Sequence, residues 1–527
     1  MFHSRFRRIL PVLCSAAVLC AGPLAAAQAR KPSPPTPLRN NIERILRHSA
    51  ARRGFWGIVV ARASDGAVLY ARNADHLFQP ASNMKLFTTA AALEKLGPDF
   101  VFRTTVESIT PPDAEGRVGD LFLVGRGDPN ISGRVLPYRH NSEPTEPPDA
   151  VLRDLAAQVA ERGVKQVAGD IIADDRYFLY EPYSHDWAAE DLQWGYGAPV
   201  TALAFNDNSL KFHALPGAKE GDPAKVRLDP VPDYYRLNNR LETSAAGTDQ
   251  EIFVERLPWS RTLDVWGEIP VGASEADDTV AIADPPRLTA ELFKQALEAR
   301  GVAVRGQVKV QEITRIQAAD MVDPFSPSGS RTVLAEHKSV PLSVEIQVIN
   351  KVSQNLHAEM LLRTLGRELM NYGSLTVGLQ VLNDFAQDIG IDPGATFFAD
   401  GSGLSREALV TPRAIVKLLV YMDHSSNQQV YFDSLPIAGV DGTLAERFQY
   451  TSAARKIHAK TGTIEHVNTL SGYMQLPSGR RLAFSILADN HDQKSAQALR
   501  TLDAIARTIY DAYGGRRRRA PARHQRK

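Results

Sequence analysis

Cysteine is nearly absent from this chain: 527 residues contain two, Cys14 and Cys20. Everything after Cys20 therefore lacks a disulfide framework, a thiol nucleophile and a cysteine-ligated metal centre. Neither cysteine follows the small residue that a lipid-attachment site needs. The thirteen histidines are scattered, with no His-Glu-x-x-His and no glycine-rich phosphate loop after a strand, so no metal or organic cofactor is expected. His357 and His458 read as packing residues. Long apolar runs are missing too. Residues 9–21 form the longest near the N-terminus, about 13 residues where a membrane span needs roughly 20. Preceded by Arg5, Arg7 and Arg8 and followed by Ala25-Ala26-Ala27 and Ala27-Gln28-Ala29, this run reads as a secretory signal over 1–29. The Arg7-Arg8 pair stands without the rest of a twin-arginine signal, so general secretion is expected, with a periplasmic product and no transmembrane span once the signal is removed.

No charge of one sign dominates, and the formal net charge is +1. The distribution is uneven. The signal holds three arginines and the last twelve residues seven basic side chains, which leaves −9 for the body between them. An acidic body argues against a nucleic-acid partner. The basic end, residues 516–527, reads as a solvated, disordered tail able to touch anionic envelope polymers. The apolar share, 43%, and the charged share, 23%, are those of a soluble globular protein. The length implies two or three domains; nothing indicates an oligomeric state.

Residues 55–70 read as a hairpin about an Asp65-Gly66 turn. Residues 82–96 are apolar or small on nearly every face, the pattern of a helix buried all round, stopped at Gly97-Pro98. Strands return at 456–460, 468–476 and 481–488, the last two joined at Pro477-Ser478-Gly479. A closing helix carries Leu499, Leu502, Ile505 and Ile509. This suits one α/β (α+β) domain assembled from 38–98 and 332–515. A helix-turn-strand pattern appears twice in the middle, at 151–172 around Gly163-Val164 and at 288–310 around Gly301-Val302, and predicts an inserted αβ domain over 99–206 and 286–331. The similarity is weak enough to be two common units. Within it, 207–285 reads as a small all-β module, and 323–330 as a linker.

Three short stretches carry chemistry. Ser82-Asn83-Met84-Lys85 puts a serine and a lysine on one helix face. A serine hydroxyl needs a base to become a nucleophile, and a lysine can be that base if burial lowers its pKa. The helix N-terminus adds positive potential for an oxyanion. Alone the signal is weak, since Ser-x-x-Lys arises by chance roughly twice in a chain of this size. It would equally describe a capping serine beside a surface lysine. Ser353-Gln354-Asn355 can project a hydroxyl and an amide from one turn, the first to relay a proton and the second to hold a peptide group. Lys460-Thr461-Gly462-Thr463 lies on a predicted strand. Lys460 and the Thr461 hydroxyl can bind a carboxylate, Gly462 can let a ligand approach the backbone, and the Thr463 N–H with that of Ser82 can form an oxyanion hole. Its bland alternative is an exposed edge guarded by a lysine. The three together, in this order, predict one site.

With these motifs the chain resembles the class C penicillin-binding proteins of low molecular mass, D-alanyl-D-alanine carboxypeptidases and endopeptidases of the penicillin-recognising fold. Gly125-Arg126-Gly127-Asp128-Pro129, Asp400-Gly401-Ser402-Gly403-Leu404-Ser405 and the stretch 435–444 are similar to that family, as is the long insertion between the first two motifs. The resemblance implies a serine transpeptidase/β-lactamase-like domain with a large two-part insertion, acting on peptidoglycan stem peptides and cross-links and acylated by β-lactams. It implies Ser82 as nucleophile, Lys85 as general base, Ser353 and Asn355 as the second motif and Lys460 as the carboxylate-binding lysine. It also implies that Asp191 pairs with the free amine of a diaminopimelate-type side chain while Tyr196 walls the pocket. Gln354 has no assigned role, and the arginine-rich tail departs from the family. Two other readings stand beside this one: a β-lactamase or esterase on the same scaffold, and a non-catalytic envelope protein that binds peptidoglycan.

Overall fold

The computed structural model describes residues 36–514 except 49, 140–145, 322–329 and 493–494. The signal, the basic tail and all but the last residue of the expected linker lie outside the described residues. Among the described residues no helix is long and apolar enough to cross a membrane.

The two ends of the chain meet in one antiparallel sheet. Its strands are β1 (Phe55–Arg62), β2 (Val68–Arg72), β3 (Ile457–Ile464), β4 (Val467–Gln475) and β5 (Arg481–Asp489), in the order β3-β4-β5-β1-β2. β1 pairs with β5 along its whole length, from Phe55 opposite Asp489 to Arg62 opposite Leu482. The turn into β2 uses Gly66 at φ 67° and the Asp65 carboxylate, which accepts the Ala67 N–H at 3.1 Å. Strand periodicity sends β1 side chains alternately to two cores. Trp56, Ile58 and Val60 face the helices Thr36–His48 and Ser495–Gly514, while Val59 and Ala61 face the helix α1 (Met84–Leu96) and its neighbours. On Ser495–Gly514 the buried stripe runs through Ala498, Leu502, Ile505 and Ile509, and Leu499 falls to its margin. Both sheet faces are covered, so β1, β3, β4 and β5 are buried along most of their length.

Between α1 and the Ser353-Gln354-Asn355 stretch in chain order lies a second five-stranded sheet. Two of its strands, Ile171–Asp174 and Val308–Gln311, run parallel in register, and the short strands Gln166–Val167 and Ala303–Val304 do the same in a neighbouring sheet. The helices preceding them, Ala150–Glu161 and Pro285–Ala299, end before Gly163 and Gly301, at φ 86° and 80°. The two helix-turn-strand units are thus built alike. The strand Thr332–Lys338, which the sequence reading assigned to the main domain, pairs with Arg103–Ser108 and completes this inserted sheet. Residues 209–281 form two three-stranded sheets with no α-helix, and their buried side chains continue the core of the insertion.

Candidate active site

Ser82 sits on the tight turn Ala81–Asn83 that leads into α1. Residues 84 to 93 of that helix are all buried, Lys85 among them. A helix without a polar face carries its lysine into the core, and the ammonium must then find acceptors there. The three donors of Lys85 Nζ reach Ser82 Oγ at 2.8 Å, Asn355 Oδ1 at 2.6 Å and the Ser402 carbonyl at 2.8 Å. Burial lowers its pKa to about 7, against the opposing pull of Asp400 and Glu359. Both acids hold the loop that delivers the Ser402 carbonyl. Glu359 accepts the N–H groups of Gly401 and Ser402, each at 2.9 Å, and Asp400 accepts those of Gly403 and Ser405, each at 2.7 Å.

The second stretch follows the helix Leu342–Gln347 and a wider helical turn, Val348–Val352. Ser353, at φ 69°, reverses the chain, as left-handed residues do at helix ends. Its hydroxyl accepts a hydrogen bond from Lys460 Nζ at 2.8 Å. Asn355 opens the helix α2 (Asn355–Met370). Both ends of its amide are occupied, Oδ1 by Lys85 and Nδ2 by the Tyr196 carbonyl at 2.8 Å. Gln354, which had no role from sequence, accepts the Leu356 N–H at 3.0 Å and donates to Asp207 Oδ2 at 2.9 Å. His357 is not simply a packing residue, because its ring lies between Glu345 (2.6 Å) and Asp207 (3.0 Å). Burial would lower its pKa, but the two carboxylates raise it to about 9. His458 does stack on Phe432, at 4.1 Å between ring centres.

The third stretch lies on β3. Lys460 is fully buried, which rules out an edge lysine in solvent. Its ammonium donates to Ser353 Oγ and to the Thr461 carbonyl at 2.9 Å, and burial followed by the nearby Lys85 holds its pKa well below the usual lysine range. The Thr461 hydroxyl is engaged by Thr443 at 2.7 Å. A Cβ on Gly462 would stand 2.2 Å from Thr469 Oγ1 and 2.9 Å from both the Pro80 carbonyl oxygen and the Ser82 nitrogen. Glycine here lets β3 pack against the turn that carries Ser82; the sequence reading had reserved that space for a ligand.

A cleft of about 430 Å³ opens over these groups. Ser82, Asn355 and Thr463 line it, and so do Asp191 and Tyr196 from the insertion. Lys85 and Lys460 are buried beneath it, while Ser353 is partly exposed. The Tyr196 hydroxyl donates to Asp191 Oδ1 at 3.0 Å, and burial raises the Asp191 pKa. Arg406, Glu190 and Glu465 complete the charged end of the cleft. Sequence reasoning missed them, although Arg406 directly follows the 400–405 stretch. Among the described residues one group has metal-ligand spacing, His213, Glu275 and Asp277 in the all-β part, where Arg227 already pairs with Glu275 at 3.1 Å.

The family model described as D-Ala-D-Ala carboxypeptidase 3 (S13) matches residues 38–509. The chain belongs to this family. The S13 assignment agrees with a D-alanyl-D-alanine carboxypeptidase of Actinomadura sp. (strain R39), 38% identical over 482 residues that cover 89% of this chain and 84% of that protein. The S13 chain also shares its fold with the crystal structure of penicillin binding protein 4 from Haemophilus influenzae, at TM-score 0.76 and 22% identity, over 90% of this chain and 100% of that one. A structure of the same Haemophilus protein complexed with a β-lactam superposes at TM-score 0.71 and 21% identity, over 89% and 99%. The fold is therefore that of the penicillin-recognising serine enzymes.

Proposed function

We propose that this S13 enzyme is a serine-type D-Ala-D-Ala carboxypeptidase with endopeptidase activity that cleaves D-alanyl bonds of peptidoglycan through an acyl-enzyme at Ser82. The family match and the 38% identical carboxypeptidase favour this over a β-lactamase or esterase. A non-catalytic binder would have no use for a desolvated lysine against a serine. One observation carries the assignment of the nucleophile: Lys85 Nζ lies 2.8 Å from Ser82 Oγ with its pKa lowered to about 7. A base titrating near the working pH is the most effective proton acceptor.

In the first step neutral Lys85 takes the Ser82 proton, and Oγ attacks the D-alanyl carbonyl carbon. The negative charge that develops on the carbonyl oxygen is met by the N–H groups of Ser82 and Thr463. The C–N bond then breaks, and Ser353, supplied from Lys460, gives a proton to the leaving amine. Lys85 then loses its proton to solvent and Lys460 regains one from it; water attacks the ester carbonyl carbon, neutral Lys85 takes the water proton, and the C–O bond breaks as Lys85 passes that proton to Ser82 Oγ. A β-lactam would follow the first half and stop at the ester. Lys460, lying behind Ser353, acts on a substrate carboxylate through its field, and Thr461 and Thr463 lie nearer the surface. The leader over 1–29 supports export to the periplasm, and the basic tail supports contact with anionic envelope polymers.

Asp191 is assigned to the free amine at the end of the substrate side chain, with Tyr196 fixing its rotamer. A hydrogen bond to a charged group contributes about 1.5–3 kcal/mol. Asp191→Ala is accordingly expected to lower kcat/KM for D-Ala release by roughly 10–100-fold on stem peptides with a free side-chain amine. Activity on the acetylated peptide and acylation by penicillin should stay unchanged. Equal losses on all three would remove this pocket assignment.

A further inference from the structure

Asn206, Asp207 and Asn208 take φ of 50°, 56° and 51° in succession. Left-handed backbone costs an L-residue roughly 1–2 kcal/mol per position, less for Asn and Asp, and a run of three is held only by its surroundings. Asn208 Oδ1 accepts the Phe205 N–H at 3.0 Å, and its Nδ2 donates to the Pro199 carbonyl at 2.8 Å. The Asn206 N–H is bonded to the Ile131 carbonyl at 2.8 Å. The strained turn thrusts the Asp207 carboxylate at the second catalytic stretch. Oδ2 accepts from Gln354 Nε2 at 2.9 Å and pairs with Arg134, and Oδ1 bonds His357 Nε2 at 3.0 Å. Asp207 thus grips the residue before Asn355 and the second residue after it. The same segment of the insertion supplies the Tyr196 carbonyl to Asn355 Nδ2.

We infer that Asp207 is a positioning residue: through Gln354 and His357 it sets the Ser353–Asn355 turn, and with it the amide oxygen that holds Lys85. The inference rests on the proposed acylation of Ser82. Every group that faces Oδ2 is a donor, namely Arg134 and Gln354. An Asp207→Asn amide must turn its N–H2 either toward Arg134 and Gln354 or toward the N–H of the His357 ring held between two carboxylates, so a donor meets a donor either way and the turn shifts, and Gln354→Glu sets two carboxylates against each other. Combined, the two substitutions restore the donor and acceptor between positions 207 and 354 and keep one carboxylate in the group to offset Arg134, and the carboxylate that Gln354→Glu introduces can still accept the Leu356 N–H.

The test is rapid-mixing kinetics with a fluorescent penicillin, which separates noncovalent dissociation from the acylation rate constant. Each single variant is expected to slow acylation at least tenfold with the dissociation constant within threefold of the parent. The double variant Asp207→Asn/Gln354→Glu should return to within threefold of the parental rate. Parental rates in the single variants, or slow singles with no recovery in the double, would overturn the inference. A parent that forms no adduct would remove the reading of the active site itself, and this inference with it.

Discussion

Lys85→Met is expected to slow penicillin acylation by roughly 10²–10⁴-fold, the usual worth of a positioned general base. Methionine nearly matches the lysine stem in length, so the all-round burial of α1 is kept and no large cavity opens. What disappears is the only nitrogen in hydrogen-bond contact with Ser82 Oγ among the described residues. The parental enzyme carries a second signature of the same base. Burial, working against Asp400 and Glu359, lowers Lys85 to about 7. Only the neutral amine can accept a proton, and its fraction grows as pH rises. The acylation rate should therefore climb about tenfold per pH unit below 7 and level off above it. Stopped-flow acylation from pH 5 to 9 reads both effects. A pH-independent rate, or a Lys85→Met variant that acylates like its parent, would remove the lysine from the mechanism.

Gly403→Ala is expected to lower folding stability by about 2–4 kcal/mol, adding overpacking to a left-handed penalty. Acylation should fall by roughly a hundredfold, the effect of a displacement of about 1 Å at a reacting centre. Gly403 stands at φ 81°, and a Cβ there would lie 1.8 Å from the Ala81 carbonyl oxygen and 2.9 Å from Met84 Cβ. Ala81 is itself at φ 45° and immediately precedes Ser82, so the collision falls on the backbone that aims the nucleophile. The displaced loop would also withdraw the Ser402 carbonyl from Lys85. Gly479→Ala is the control: its φ is 80° with nothing within 4 Å of the added carbon, so it should cost about 1 kcal/mol and no activity. Denaturant unfolding and acylation, measured on both variants, separate strain from collision. Identical behaviour of the two would contradict this account of the loop.

What the sequence made legible was local. Ser82 and Lys85 stand one helical turn apart on a stretch with no polar face, a spacing that fits a capping serine beside a surface lysine until the Ser353 and Lys460 stretches are read with it. The hairpin at Asp65-Gly66 and the strands near the C-terminus were readable from apolar runs and turn chemistry. Contacts between distant segments were not. Gln354 looks idle in its tripeptide because its partner, Asp207, lies 147 residues away on the insertion. His357 looked like packing for the same reason, since one of its two acids is that same distant residue. The depth of Lys460 follows from the packing of β3 against the Ser82 turn, which no run of one strand reveals. Thr332–Lys338 joined the inserted sheet because its partner strand, Arg103–Ser108, was invisible to periodicity.

Mass spectrometry of the enzyme after incubation with benzylpenicillin tests the central claim most directly. One penicilloyl group per chain is expected, mapping to the peptide that contains Ser82 and missing from Ser82→Ala. An adduct on another residue, or one of equal stoichiometry in Ser82→Ala, would contradict the acyl-enzyme described here.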